Sequence, residues 1–237
     1  MKIVTFLLLL CFGGSAIASV ADDAQRKREL LETYAHRVTT EMCLITRNGG
    51  DKAASQRLQD VLSEATVLSR DIAGIWPEIN SEWQKTAQFV ADNKAAADSG
   101  DVVNVLPNLQ IRQEALYQAF DQDRPASRSG ADEQAVMVML DSLERMLASY
   151  VMFQTSMFGG HGFTEVGIES QSKRFDEALA SLHDEKLKTD IAGKWKFVKG
   201  ALLAYNEKAA VFIVDRTGRS IRDLLVNNLQ MPQVAAE

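Results

Sequence analysis

The chain has 237 residues, 46% of them hydrophobic, enough for one large domain or two small ones with true cores. Its formal net charge is −6 and its pI is near 5.2, which excludes the basic footprint that DNA or RNA requires of a partner.

In chain order, the first segment is MKIVTFLLLLCFGGSAIASVADD, in which Lys2 precedes an apolar run from Ile3 to Phe12 and then small residues. This is the layout of a secretory signal peptide, residues 1–21, with cleavage expected after Ala18 or Ala21. The run is shorter than the ~20 residues of a spanning helix, so an exported protein, soluble outside the cytoplasm, is expected. Cys11 leaves with the leader, and the remaining Cys43 sits among Met42, Leu44 and Ile45 as a small core residue.

Apolar residues then recur at spacings of three and four in eight stretches, without sustained alternation, so the expected fold class is all-α, an up-down helical bundle. Leu31, Tyr34, Val38, Met42 and Ile45 make the first stripe; Leu58, Val61, Ala65, Leu68 and Ile72 follow after the Asn48-Gly49-Gly50-Asp51 turn. Pro77 opens a third helix with Ile79, Trp83, Ala87 and Val90. A fourth, with Leu106, Leu109, Leu116 and Phe120, is expected to kink at Pro107 or to start after it.

Residues 121 to 130, DQDRPASRSG, are the most broken segment, and divide a first four-helix unit, 22–122, from a second, 131–237, with 123–130 as linker. Val136, Met139, Leu140, Leu143, Leu147, Tyr150 and Met157 form a fifth helix of about seven turns, stopped by Gly159-Gly160-His161-Gly162. Phe175, Leu179 and Leu182 mark a sixth, and Ile191, Trp195, Val198, Leu202 and Tyr205 a seventh. Val214, Ile221, Leu225 and Leu229 mark the last, where Gly218 is tolerated at about 1 kcal/mol relative to Ala.

The halves echo one another. Ile79/Trp83 recurs 112 residues later as Ile191/Trp195, Leu31-Glu32 as Leu143-Glu144 at the same offset, and Ile111-Arg112 as Ile221-Arg222 at 110, the trace expected of a duplication.

Catalytic constellations do not emerge. His36, His161 and His183 fall in different elements without metal-ligand spacing, and neither a haem-attachment nor a di-iron helix motif is present. No cofactor or metal is expected, and the protein reads as non-catalytic. Both Trp83 and Trp195 lie on apolar stripes, where tryptophan is core. Arg145, within LERMLASYVMF, lies about 200° around its helix from Leu143, opposite the core face. That outer arc also carries Val138 and Met152, as a helix does when it faces a second bundle or a second subunit.

Here the sequence resembles the PilJ-type module, the periplasmic helical sensor domain of type IV pilus chemotaxis transducers, related to the NarX-type nitrate sensor domain. Arg145-Met146-Leu147, the stripe Phe175, Leu179 and Leu182, then Trp195 and Val214-Asp215-Arg216, carry it over about 100 residues of the second half. The resemblance implies a motif arginine paired across a homodimer axis to grip a small anionic ligand, with Arg145 and Ser149 as the ligand-binding residues. Ser149 stands where that branch often has a second arginine, and Asp141-Ser142-Leu143 replaces its Ala-Gly. A sensor-like binding or accessory protein follows, meeting a small ligand or a membrane receptor; the alternative is an assembly partner of type IV pili or another surface appendage.

Overall fold

The computed structural model describes residues 4–122, 130–156 and 165–229, which form eight helices and no strand. They are α1 (Val4–Asn48), α2 (Lys52–Ile72), α3 (Pro77–Asp98), α4 (Val102–Gln122), α5 (Ala131–Thr155), α6 (Glu165–Ser181), α7 (Glu185–Leu203) and α8 (Val211–Asn228). The protein is an all-α helical bundle, as the apolar periodicity predicts. None of the described helices is long and apolar enough to cross a membrane.

Local chemistry sets the turns. Gly49 and Gly50 take positive φ, and Asp51 caps α2 by accepting from the amides of Ala53 and Ala54 at 2.9 and 3.0 Å. Gly100, also at positive φ, ends the turn between α3 and α4; the two turns meet, since a Cβ on Gly50 would lie 3.3 Å from the Asp98 carbonyl oxygen. Pro77 opens α3 as expected.

Of the two outcomes expected at Pro107, the later helix start does not occur. Helix α4 starts at Val102, before the proline, and runs through it. Asp101 accepts from the Asn104 amide at 3.1 Å, and Val105, Leu106 and Leu109 are buried on both sides of the proline, so capping and packing outweigh the one lost backbone hydrogen bond. Asp121 and Gln122, the first two residues of the broken segment, belong to α4; residues 123–129 and the Gly159–Phe163 segment with His161 lie outside the described residues.

Helices α2, α3 and α4 pack against α1, and α6, α7 and α8 against α5. The two sets meet where α1 lies along α5, and one continuous apolar core runs through both. Along this seam the two helices run in the same direction: Arg26 meets Glu133, Glu32 meets Arg145, Cys43 meets Met152 and Arg47 meets Gln154, stepping down both together. Each set also buries its tryptophan alike. Trp83 donates its indole N–H to Thr66 of α2 at 3.2 Å, and Trp195 donates to Asp176 of α6 at 2.7 Å while its ring tilts on Phe175.

The seam changes the environment of α5. Its inner arc is covered by α6, α7 and α8, and its outer arc by α1, so Met146, Ala148 and Met152 are buried beside the expected Leu143 and Leu147. A helix apolar nearly all round is an interior helix.

Candidate functional site

Because α5 keeps only a narrow, half-buried strip through Val138, Asp141, Arg145 and Ser149, its charged residues need partners inside the protein. Arg145 finds two. Its guanidinium reaches across the seam to the Glu32 carboxylate of α1 and back one turn to Asp141, 2.8 Å from Nε. Arg174 of α6 approaches the other Asp141 oxygen at 3.5 Å. Burial lowers the affinity of Arg145 for its proton, but the Asp141 and Glu32 charges outweigh that and raise its pKa. The arginine placed by the helical wheel on an outer, solvated arc is therefore a seam residue with its side chain 25% exposed, because the outer arc is covered by the first helix set. Ser149, half-buried one turn further along α5, is not among its partners.

Beside this pair, His36 and Tyr117 stack with ring centres 4.5 Å apart, and the tyrosine hydroxyl lies 2.7 Å from His36 Nδ1. Burial, with the Arg145 cation second, holds the imidazole well below its ordinary pKa of 6.5, so it is neutral. His36 Nε2 is buried without a hydrogen-bond partner. His183 sits at the surface, 2.8 Å from an Asp132 oxygen.

Further along, Glu144 of α5 is wholly buried and held by both Nε and NH2 of Arg222 from α8. Glu41 of α1 is likewise buried against Arg57, at 2.9 and 2.8 Å, and Asp215 holds Arg219. Arg37 lies over the Tyr34 ring at 4.9 Å, within reach of the Glu144 charge. Bidentate geometry makes these arginines strong partners.

The seam thus carries a chain of mutually compensating charges. Glu32 and Glu144, which sit 112 residues apart, both end on an arginine: Arg145 for one, Arg222 for the other. The paired Leu-Glu echoes were visible in the sequence, and so were Arg145 and Arg222, but the pairing of each glutamate with an arginine on another helix had no local signal.

Open space next to Arg145 is a cavity of about 100 Å³ lined by Glu29, Glu32, Asp141, Gln134 and Arg174, with Met137 and Val138. Among the described residues no group of three or more His, Cys, Asp or Glu side chains is placed to hold a metal ion. Cys43 is buried, and burial raises its thiol pKa, which removes thiolate chemistry at neutral pH.

Comparison with family profiles, with curated proteins and with solved structures returned no match. The resemblance to PilJ-type modules rests on the short sequence motifs alone, Arg145-Met146-Leu147, the Phe175, Leu179 and Leu182 stripe, Trp195 and Val214-Asp215-Arg216.

Proposed function

We propose that the chain is an exported, non-catalytic helical binding or accessory protein of the periplasm that recognises a macromolecular partner, such as a membrane receptor or a surface-appendage component, on its outer helix faces. One observation carries the choice of a macromolecule over a small anion: the Arg145 guanidinium is already neutralised inside the chain by Glu32 and Asp141. An anion entering the adjoining cavity meets three carboxylates, and its space of about 100 Å³ is well below the ~300 Å³ at which small-molecule pockets begin.

The parallel seam supports the same reading. The paired arrangement that the resemblance implies across a dimer axis has a counterpart within one chain, with α1 lying on α5 as a partner's helix does. In this reading the two halves descend from a duplication and face one another as subunits do. A second copy is then not needed to complete the arginine's surroundings.

Thermal unfolding in a titration of nitrate and small carboxylates tests the choice. No saturable rise in melting temperature is expected, since Glu29, Glu32 and Asp141 outweigh the one arginine, Arg174, that lines the cavity. A saturable rise with one anion overturns the reading and restores Arg145 as a grip. Recovery of the protein in the periplasmic fraction, beginning near Ser19 or Asp22, tests the location.

A further inference from the structure

Among the described residues, Val103 and Ile111 of α4 and Ile75 are well exposed, but the outer face of α7 and α8 is where exposed aromatic rings gather. Phe197 is 66% exposed, Phe212 70% and Ile213 44%, and together they line a groove between the two helices with a volume of about 600 Å³. Gly193 opens one wall, because a Cβ there would meet nothing within 4 Å. The charged residues on the lining are Lys194 and Arg216, with no carboxylate, on a chain whose net charge is −6. The counterpart groove between α3 and α4 is lined instead by Glu78, Glu82, glutamines and alanines, so exposed aromatics are not a general consequence of this bundle geometry.

The groove is also held rigid from below. Tyr150 of α5 accepts from the Ala210 amide at 2.7 Å, and Gln154 donates to the Tyr205 carbonyl, so the turn that leads into Phe212 and Ile213 is pinned to the central helix. A furrow whose backbone is already held in place pays little ordering cost there when a partner covers it, and its exposed aromatic rings supply the anchors.

We infer that the α7–α8 groove docks an amphipathic helix of a partner protein whose apolar ridge fills the space between Phe197 and Phe212 and whose flanking carboxylates meet Lys194 and Arg216. Two antiparallel helices offer a third its preferred seat, read by residues at i, i+3, i+4 and i+7 of the incoming face. The basic rim sets the sign of the flanks, speeding encounter with an acidic segment and penalising a basic one. This inference rests on the reading of the chain as a macromolecular binder, and names the surface and the chemistry of that binding.

The test uses the full protein with a synthetic amphipathic helix of leucine and alanine flanked by glutamates, a counterpart carrying lysines in place of the glutamates, and phosphatidylglycerol vesicles. Saturable binding of the acidic helix is expected, weakening with salt, with the basic helix weaker by about tenfold or more. Phe197→Ala with Phe212→Ala, both at exposed positions, should abolish binding while the melting curve is retained. Lys194→Glu with Arg216→Glu should invert the preference toward the basic helix. Equal binding of both helices, an uninverted preference in the charge-swapped variant, or binding to the vesicles with neither helix bound overturns the inference. These outcomes are independent of the anion titration, which reports on the Arg145 cavity alone.

Discussion

Replacing Arg145 with alanine leaves the Glu32 carboxylate without its strongest partner in a place where its side chain is only 7% exposed. Arg145→Ala is therefore expected to cost about 2–4 kcal/mol in chemical denaturation, somewhat less than a wholly buried pair because the arginine reaches solvent in part. Replacing both residues, Arg145→Met with Glu32→Met, should recover part of the loss, since it removes the stranded Glu32 charge and leaves Asp141 to Arg174 alone. A single variant as stable as the parent contradicts the seam pair. His36 supplies a second test at this scale. In the unfolded chain an imidazole binds a proton below pH about 6.5, whereas the buried ring in the folded state stays neutral. The unfolded state then holds more protons, so stability is retained above pH ~6.5 and lost as pH falls below it, by about 1.4 kcal/mol per pH unit. His36→Phe should flatten that limb between about pH 5 and 6.5 whatever its effect on baseline stability. Parallel profiles for parent and variant would show that His36 titrates as freely folded as unfolded. The angular position of Arg145 was legible from spacing alone; what covers that side of the helix was not, because periodicity reports direction and not the neighbour met there.

At the scale of helices, the close approach of α8 to α5 depends on Gly218. A Cβ there would fall 2.7 Å from both terminal methyls of Leu147, a wholly buried side chain. Read from sequence, this glycine was a tolerated weakness in a helix; in the fold it is the contact surface. Gly218→Ala gains about 1 kcal/mol of helix propensity and loses about 1–3 kcal/mol by overpacking. The net is a loss of about 0–2 kcal/mol, too wide to discriminate by itself, so the telling quantity is coupling: Leu147→Ala should cost less in the Gly218→Ala background than in the parent. Additive effects would place Leu147 elsewhere. Trp195→Ala, which empties the site beside Phe175 and strips the hydrogen bond from Asp176, should cost about 3–5 kcal/mol. Helix existence, most boundaries and the tryptophan cores followed from apolar spacing and turn residues. The uninterrupted course of α4 through Pro107 did not, since a proline's local penalty is visible in sequence while the burial of Val105 and Leu109 that offsets it is tertiary.

For the molecule as a whole, the reading turns on the seam. Two four-helix sets with separate cores behave as beads on a linker, whereas here α1 and α5 share one apolar core and close their charged residues against one another across it. The one sign in the sequence was α5 itself, whose outer arc of Val138 and Met152 lacked a reason in a single bundle. The Glu32–Arg145 pair across the seam adds less to net stability than the apolar contact around it; it fixes the register of the two helices, because a slip strands the Glu32 carboxylate. A fused body also explains why the interior offers little room for a ligand and why recognition is assigned to the outer grooves. Scanning calorimetry tests this most directly, by comparing the calorimetric enthalpy of unfolding with the van't Hoff enthalpy. The account requires a single transition in which the two enthalpies agree. Two transitions, or a calorimetric enthalpy near twice the van't Hoff value, would mean that the sets unfold independently and that the α1–α5 seam does not bind them into one cooperative unit.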